Sequence, residues 1–194
     1  MPDGFFYFTC IYTKPAPINF CYSILIIEKY ISRAAISRKV KELGVRITRD
    51  YRDRCPVLIG ILNGSFIFIS DLVREIRLEL EIDFLKLSSY GDSKISSGNV
   101  KLLKDLNCDI SGRDVIVVED IIDSGLSVSY IKNIIEKRKP ASLEFVTMLY
   151  KKGKSKLNFI IKYKGFTIPN KFVVGYGLDY AQKYRNLKDI YILK

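Results

Sequence analysis

The sequence predicts an α/β fold, a doubly wound, mostly parallel central sheet flanked by helices. Val115-Ile116-Val117-Val118 is an unbroken run of β-branched apolar residues, which suits a strand covered on both faces, since no position in it is left to face water. Short apolar runs alternate along the chain with segments of helical period, the pattern of parallel strands joined by crossover helices. The run at 115–122 ends in acids and hydroxyls, Glu119, Asp120, Asp123, Ser124 and Ser127, at the carboxyl end, where open α/β sheets bind ligands.

Taken in order, residues 1–22 are aromatic-rich and interrupted by Pro15 and Pro17, with no basic residue before Lys14. A secretory signal needs a positive first region and a small-residue cleavage site, and this segment has neither. It reads as a poorly ordered or accessory extension, with the domain spanning residues 23–194. Organised structure is expected from near Glu28. Ile36, Val40, Leu43, Ile47 and Tyr51 recur at helical spacing, so Ser32 to about Tyr51 predicts an amphipathic helix capped by Ser32 and stopped by Cys55-Pro56. Val57–Leu62 predicts a strand, Asn63-Gly64-Ser65 a tight turn, and Phe66 to about Leu78 a helix. Ile82–Ser88 predicts another strand, and the polar, Gly- and Ser-rich stretch Tyr90–Asn99 a mobile loop. Beyond the acidic run, Ser124-Gly125-Leu126-Ser127 turns into a helix over Val128–Arg138, whose first turn offers free N–H groups and the positive dipole end to a phosphate. Leu143–Tyr150 predicts a strand, Phe172–Tyr180 an apolar strand leaving on two glycines, and Ile190–Leu193 a last short strand.

The 194 residues fit one well-buried domain, and 48% apolar with 27% charged residues is globular composition. No apolar run approaches the roughly 18 residues needed to span a bilayer, so no membrane partner is expected. The net charge of +11 comes from lysines and arginines scattered from Lys14 to Lys194 with only short clusters, so most of it reads as solvated surface; it can equally serve small polyanionic substrates, and no nucleic acid is expected. Cys10, Cys21, Cys55 and Cys108 lack zinc-ribbon or thioredoxin spacing and read as reduced thiols of a cytoplasmic protein. Histidine is absent, which excludes Ser-His and Cys-His nucleophiles and His-ligated metals. Proton transfer must then use a carboxylate, Lys, Tyr or Cys.

Adjacent acids at a strand end are often only a solvated turn. Here Glu119 and Asp120 suit a sugar cis-diol, directly or through Mg²⁺, and the phosphate cradle of Asp123, Ser124, Gly125, Leu126 and Ser127 follows at once. Together they describe a ribose 5-phosphate site.

This segment resembles the 5-phosphoribosyl-pyrophosphate motif of the type I phosphoribosyltransferases: an apolar strand, two acids, two apolar residues, then Asp-Ser/Thr-Gly-x-Ser/Thr. The remainder is similar to the hypoxanthine-guanine branch of that family, on Leu62-Asn63-Gly64-Ser65-Phe66, Ser89-Tyr90-Gly91, Lys151, Lys171–Tyr180 and Arg185, from about Ile27 onward. The resemblance implies that family's sheet, with a small hood formed by N- and C-terminal segments. It implies purine salvage, in which 5-phosphoribosyl 1-pyrophosphate and hypoxanthine or guanine give the nucleoside monophosphate and pyrophosphate, with Mg²⁺ as cofactor and a homodimer or homotetramer as the assembly.

By the same resemblance, Glu119 and Asp120 hold the ribose hydroxyls and help place a magnesium ion. Asp123 takes the purine N7 proton. Residues 123–127 bind the 5-phosphate. Asn63, Gly64 and Arg185 meet pyrophosphate, with a non-proline cis peptide often preceding the position of Asn63. Lys151 donates to the purine 6-oxo group, Phe172 stacks on the base, the Val173 backbone meets its edge, and Asp179, beside the purine, holds a second magnesium through water. Ser89 and Tyr90 cap the site when the lid closes. Asn63 stands where the family commonly has Lys or Arg, and Leu126 where some relatives have Lys, so two cationic contributions are missing. The rival reading is a non-catalytic regulator that senses the sugar pyrophosphate and binds nucleic acid. Asp123, Lys151, Phe172 and Asp179 argue against it, because a sensor has no use for a purine pocket.

Overall fold

The structure, a computed structural model, describes Phe5–Phe6 and residues 27–89, 100–155 and 157–194. In chain order the elements are β1 (Phe5–Phe6), β2 (Ile27–Ile31), α1 (Arg33–Asp50), β3 (Val57–Leu62), α2 (Phe66–Glu75), β4 (Glu81–Ser89) and β5 (Val100–Lys104). They continue as β6 (Asp114–Ile122), α3 (Leu126–Glu136), β7 (Ser142–Lys151), β8 (Tyr163–Ile168), β9 (Val173–Val174) and β10 (Ile190–Leu193).

Six strands form the main sheet in the order β5-β4-β3-β6-β7-β8, parallel throughout except where β5 runs antiparallel to β4 at one edge. The chain reverses strand order between β3 and β6, the place where a doubly wound sheet opens a crevice at its carboxyl edge. A smaller antiparallel sheet, β1-β2-β10-β9, forms the hood.

Why the 115–118 run needs no polar residue is visible in the packing. Ile116 and Val118 face α1 and α2, against Val40, Leu43, Ile47, Phe68 and Leu72. Val115 and Val117 face the other way, against Val128, Ile131 and Ile135 of α3. Successive side chains of a strand alternate between faces, so helices on both sides bury every position. Burying each such side chain contributes about 1.5–3 kcal/mol before entropy is counted.

The Ser32 hydroxyl accepts the Ala35 N–H and starts α1 as expected. Elsewhere the structure differs from the sequence reading. Helix α2 stops at Glu75 and not near Leu78, because Ile76 turns extended and the Arg77 N–H is taken by Thr48 Oγ1 at 3.0 Å. The strand expected over Phe172–Tyr180 is confined to Val173–Val174: Gly175, Tyr176 and Gly177 all have positive φ, which a ladder cannot follow. β2, β5 and β8 were not foreseen. Of the expected 1–22 extension, Phe5–Phe6 pair with β2, and the rest lies outside the described residues, as do Tyr90 and the loop 91–99. Among the described residues no helix is long and apolar enough to cross a membrane.

Candidate active site

The parallel register aligns the carboxyl ends of β3, β6 and β7, and the hood swings Phe172 to Arg185 over them. A cavity of about 530 Å³ opens there. Asn63, Gly64, Asp120, Asp123 and Lys151 line it from the main sheet, and Phe172, Val173, Asp179 and Arg185 from the hood side. Every one of these was singled out from sequence.

Glu119 and Asp120 lie where β6 is still paired with β7, so extended backbone sends their side chains apart. Burial pushes both carboxyls up from their ordinary range. The neighbouring acid adds to this at Glu119; at Asp120 the Ile121 N–H, at 2.7 Å, and the Arg185 charge pull back. The Glu119 Oε2 is buried with no hydrogen-bond partner. The unpartnered Glu119 oxygen and the buried Asp120 carboxylate are each the kind of donor that a hard divalent cation or a sugar hydroxyl would satisfy. Among the described residues no three Cys, Asp or Glu side chains converge on one point. A cation here would take its other ligands from water or substrate, which is how Mg²⁺ is commonly held.

Gly64 makes the acid pair possible. A Cβ at that position would sit 1.8 Å from Asp120 Oδ2, so the carboxylate occupies side-chain space that only glycine leaves. The Leu62-Asn63 peptide is cis, as the resemblance implied. A Cβ on Gly177 would in turn lie 2.2 Å from the Gly64 carbonyl oxygen, so the hood segment rests directly on this loop.

Asp123 leaves the end of β6 with its Oδ2 2.9 Å from Lys154 Nζ and 3.4 Å from Lys151 Nζ, while its Oδ1 is buried without a partner. Lys151 is only 6% exposed, which sets it apart from an ordinary surface lysine. Gly125, at φ 87, turns the chain into α3. Apart from a 3.4 Å contact from the Leu126 N–H to Ser124 Oγ, that helix starts without a side-chain cap, leaving its first N–H groups and the Ser127 hydroxyl to an anion. Leu126 itself points into solvent, 49% exposed.

On the hood side, Phe172 is half exposed and meets Tyr180 edge-on at 5.8 Å, so a ring face remains open. Val173 is held by β9–β10 pairing. Asp179 Oδ1 lies 2.7 Å from Arg185, whose guanidinium also donates to the Gly177 carbonyl and to Gln182 Oε1. Ser89 ends β4 beside Val100, on the strand from which the expected lid departs.

Lys86, Leu87, Gln182 and Lys154 were not foreseen. Lys86 and Leu87 lie at the carboxyl end of β4, and register could have found Lys86, which pairs with Leu62 immediately before the cis peptide. The lysines offer no spacing signal among 32 basic residues.

The fold, the cradle at α3 and the acid pair define a sugar-phosphate transferase site, and comparison supplies the family. The chain belongs to the phosphoribosyltransferases: the family's phosphoribosyl transferase domain matches residues 28–181. It is 48% identical over 169 residues to a hypoxanthine-guanine phosphoribosyltransferase of Bacillus subtilis (strain 168), covering 87% of this chain and 94% of that protein. It is 47% identical over 163 residues to the hypoxanthine phosphoribosyltransferase of Escherichia coli (strain K12), covering 83% and 92%. A crystal structure of a hypoxanthine-guanine phosphoribosyltransferase from Bacillus anthracis superposes with a TM-score of 0.82 at 46% identity, over 86% of this chain and 98% of that one. The fold is that of the type I enzymes.

Proposed function

We propose that the protein transfers the 5-phosphoribosyl group from its 1-pyrophosphate to N9 of a 6-oxopurine, hypoxanthine or guanine, releasing pyrophosphate. The observation that carries this reading is the buried Lys151 ammonium 3.4 Å from the Asp123 carboxylate, in the cavity that Phe172 borders. A 6-oxopurine laid against Phe172 presents an acceptor at O6 and a proton at N7, one for each group. Adenine would turn a 6-amino group toward an ammonium and lose the contact.

In the reaction N9 attacks the anomeric carbon as its bond to pyrophosphate breaks, through a transition state of oxocarbenium character. Asp123 takes the N7 proton, so the purine enters the product neutral. The uncapped start of α3, with Ser124 and Ser127, holds the 5-phosphate, and Glu119 and Asp120 take the ribose hydroxyls. Asn63 and Gly64 contribute backbone, and Arg185 a planar fork, to the leaving pyrophosphate. Mg²⁺, held near Glu119 and Asp120 and near Asp179 with substrate oxygens and water completing its shell, would neutralise charge on that leaving group. The unpartnered Glu119 Oε2 supports the metal reading.

We read the free thiols Cys55 and Cys108 as those of a cytoplasmic enzyme and the assembly as a homodimer or homotetramer, which sedimentation velocity would check. No observation favours the regulator. The decisive assay supplies Mg²⁺, the sugar pyrophosphate and hypoxanthine, guanine, xanthine or adenine in turn, and quantifies nucleotide. Nucleotide from hypoxanthine or guanine is expected, with activity lost in EDTA and restored by Mg²⁺. Turnover with adenine alone, or with no base, sinks the assignment.

A further inference from the structure

We propose that Gln182 is a positioning residue that aims Arg185 at pyrophosphate while leaving its charge intact. The inference rests on the transfer reaction above but stands on its own geometry. Tyr180 and Lys183 exchange both backbone hydrogen bonds, at 3.2 and 3.0 Å, and the two residues between them, Ala181 and Gln182, have φ of 48 and 64. Positive φ at both centres is the signature of a type I′ turn, a conformation that favours Gly and Asn. Neither stands here. Strained backbone of this kind persists where its surroundings over-determine it, and it clusters at functional sites.

The surroundings are specific. The Gln182 N–H donates to Asp179 Oδ2 at 2.8 Å, and its side-chain Oε1 accepts from Arg185 Nη2 at 3.0 Å. The same Nη2 lies 2.7 Å from Asp179 Oδ1, while Arg185 Nη1 donates to the Gly177 carbonyl at 2.8 Å. Gln182, Asp179 and Arg185 all border the cavity. The guanidinium is therefore held by a carboxylate, an amide and a backbone carbonyl at once.

These acceptors differ in what they cost an incoming anion. Asp179 neutralises Arg185 and repels pyrophosphate, whereas the amide of Gln182 orients the fork and leaves its charge intact. Gln182 and the Gly177 carbonyl hold the fork in register without drawing on its charge. A neutral acceptor at position 182, fixed by a turn that Asp179 itself braces, separates aim from charge.

The test compares Gln182→Ala and Gln182→Gly with the wild type. Both lose the amide, but only the glycine variant relieves the left-handed backbone, so a mere strain effect separates them. Loss of the acceptor affects both alike. We expect KM for the sugar pyrophosphate to rise about tenfold in both, the size of one charge-assisted hydrogen bond, with KM for the purine within about twofold of wild type. Calorimetric titration of inorganic pyrophosphate with Mg²⁺ should show the same loss of affinity. Unchanged sugar-pyrophosphate KM in either variant, or equal rises in both KM values, overturns the proposal. If the wild type turns over no 6-oxopurine, the functional reading fails, and the pyrophosphate titration still decides the role of Gln182.

Discussion

The Asp120 carboxylate fills the space where a side chain at position 64 would begin, with Oδ2 1.8 Å from the site of a Cβ on Gly64. The end of β6 and the loop after β3 thus share one volume. Gly64→Ala must displace Asp120 or lift the loop that carries Asn63. Because misplacement by about 1 Å can cost on the order of 10²-fold in rate, we expect a fall of at least that size in kcat/KM for the sugar pyrophosphate. Steady-state kinetics beside far-ultraviolet circular dichroism would check it, and a fully active alanine variant would show that the loop yields freely.

In the proposed reaction Asp123 takes the purine N7 proton. Asp123→Asn keeps the shape but cannot accept the N7 proton, so turnover should fall by about 10²–10⁴ with little change in melting temperature. An unaffected kcat would remove Asp123 from that role.

In the proposed reaction Lys151 selects a 6-oxopurine. Lys151→Ala should raise KM for hypoxanthine or guanine by about 10- to 100-fold, the range for one hydrogen bond to a charged donor, and narrow the preference over adenine. Competition assays with the four bases measure this. A variant weakened only toward pyrophosphate would contradict the placement.

Asp83 makes a pH prediction far from the chemistry. Burial alone would raise its pKa, but N–H groups of Cys108, Phe84 and Asn107 hold the carboxyl well below its ordinary range, with Lys104 Nζ 3.3 Å away. A folded pKa below the unfolded one contributes stability that is present above about pH 4 and is lost as pH falls further. Asp83→Asn should cost about 1–3 kcal/mol at pH 7, and the gap from wild type should shrink as pH drops below about 4. Urea unfolding at pH 7 and in steps below 4 tests both points. A gap that stays constant would mean the carboxylate charge is not what stabilises.

Much of the scaffold was legible because its signals are local. The run at 115–118 needs cover on both faces, and α1 shows an apolar period with a Ser cap, so burial and hydrogen bonding could be read along the chain. β8 was illegible because its burial alternates irregularly at a sheet edge and Gly165 interrupts it, packed against the Met148 carbonyl. The tail misled because apolar residues continue past Val174, while the backbone at Gly175, Tyr176 and Gly177 turns left-handed. In the site, Asn63, Gly64, Asp120, Asp123, Lys151, Phe172, Val173, Asp179 and Arg185, which match the family pattern, line one cavity, whereas Glu119 and residues 124–127 are not part of its wall. Lys154 and Gln182 were not legible, since each matters only through a partner distant or folded back in space: Asp123 for one, Arg185 and Asp179 for the other.

The contact between the Gly64 carbonyl and the Cα of Gly177 has a mechanical consequence. With no room for a methyl group on Gly177, the loop that carries Asn63 and the hood segment behave as a single jaw. Its gape is set by main-chain atoms, so rotamer hopping cannot alter it. Any widening must move the backbone of the hood segment that follows β9, which is itself paired with β10.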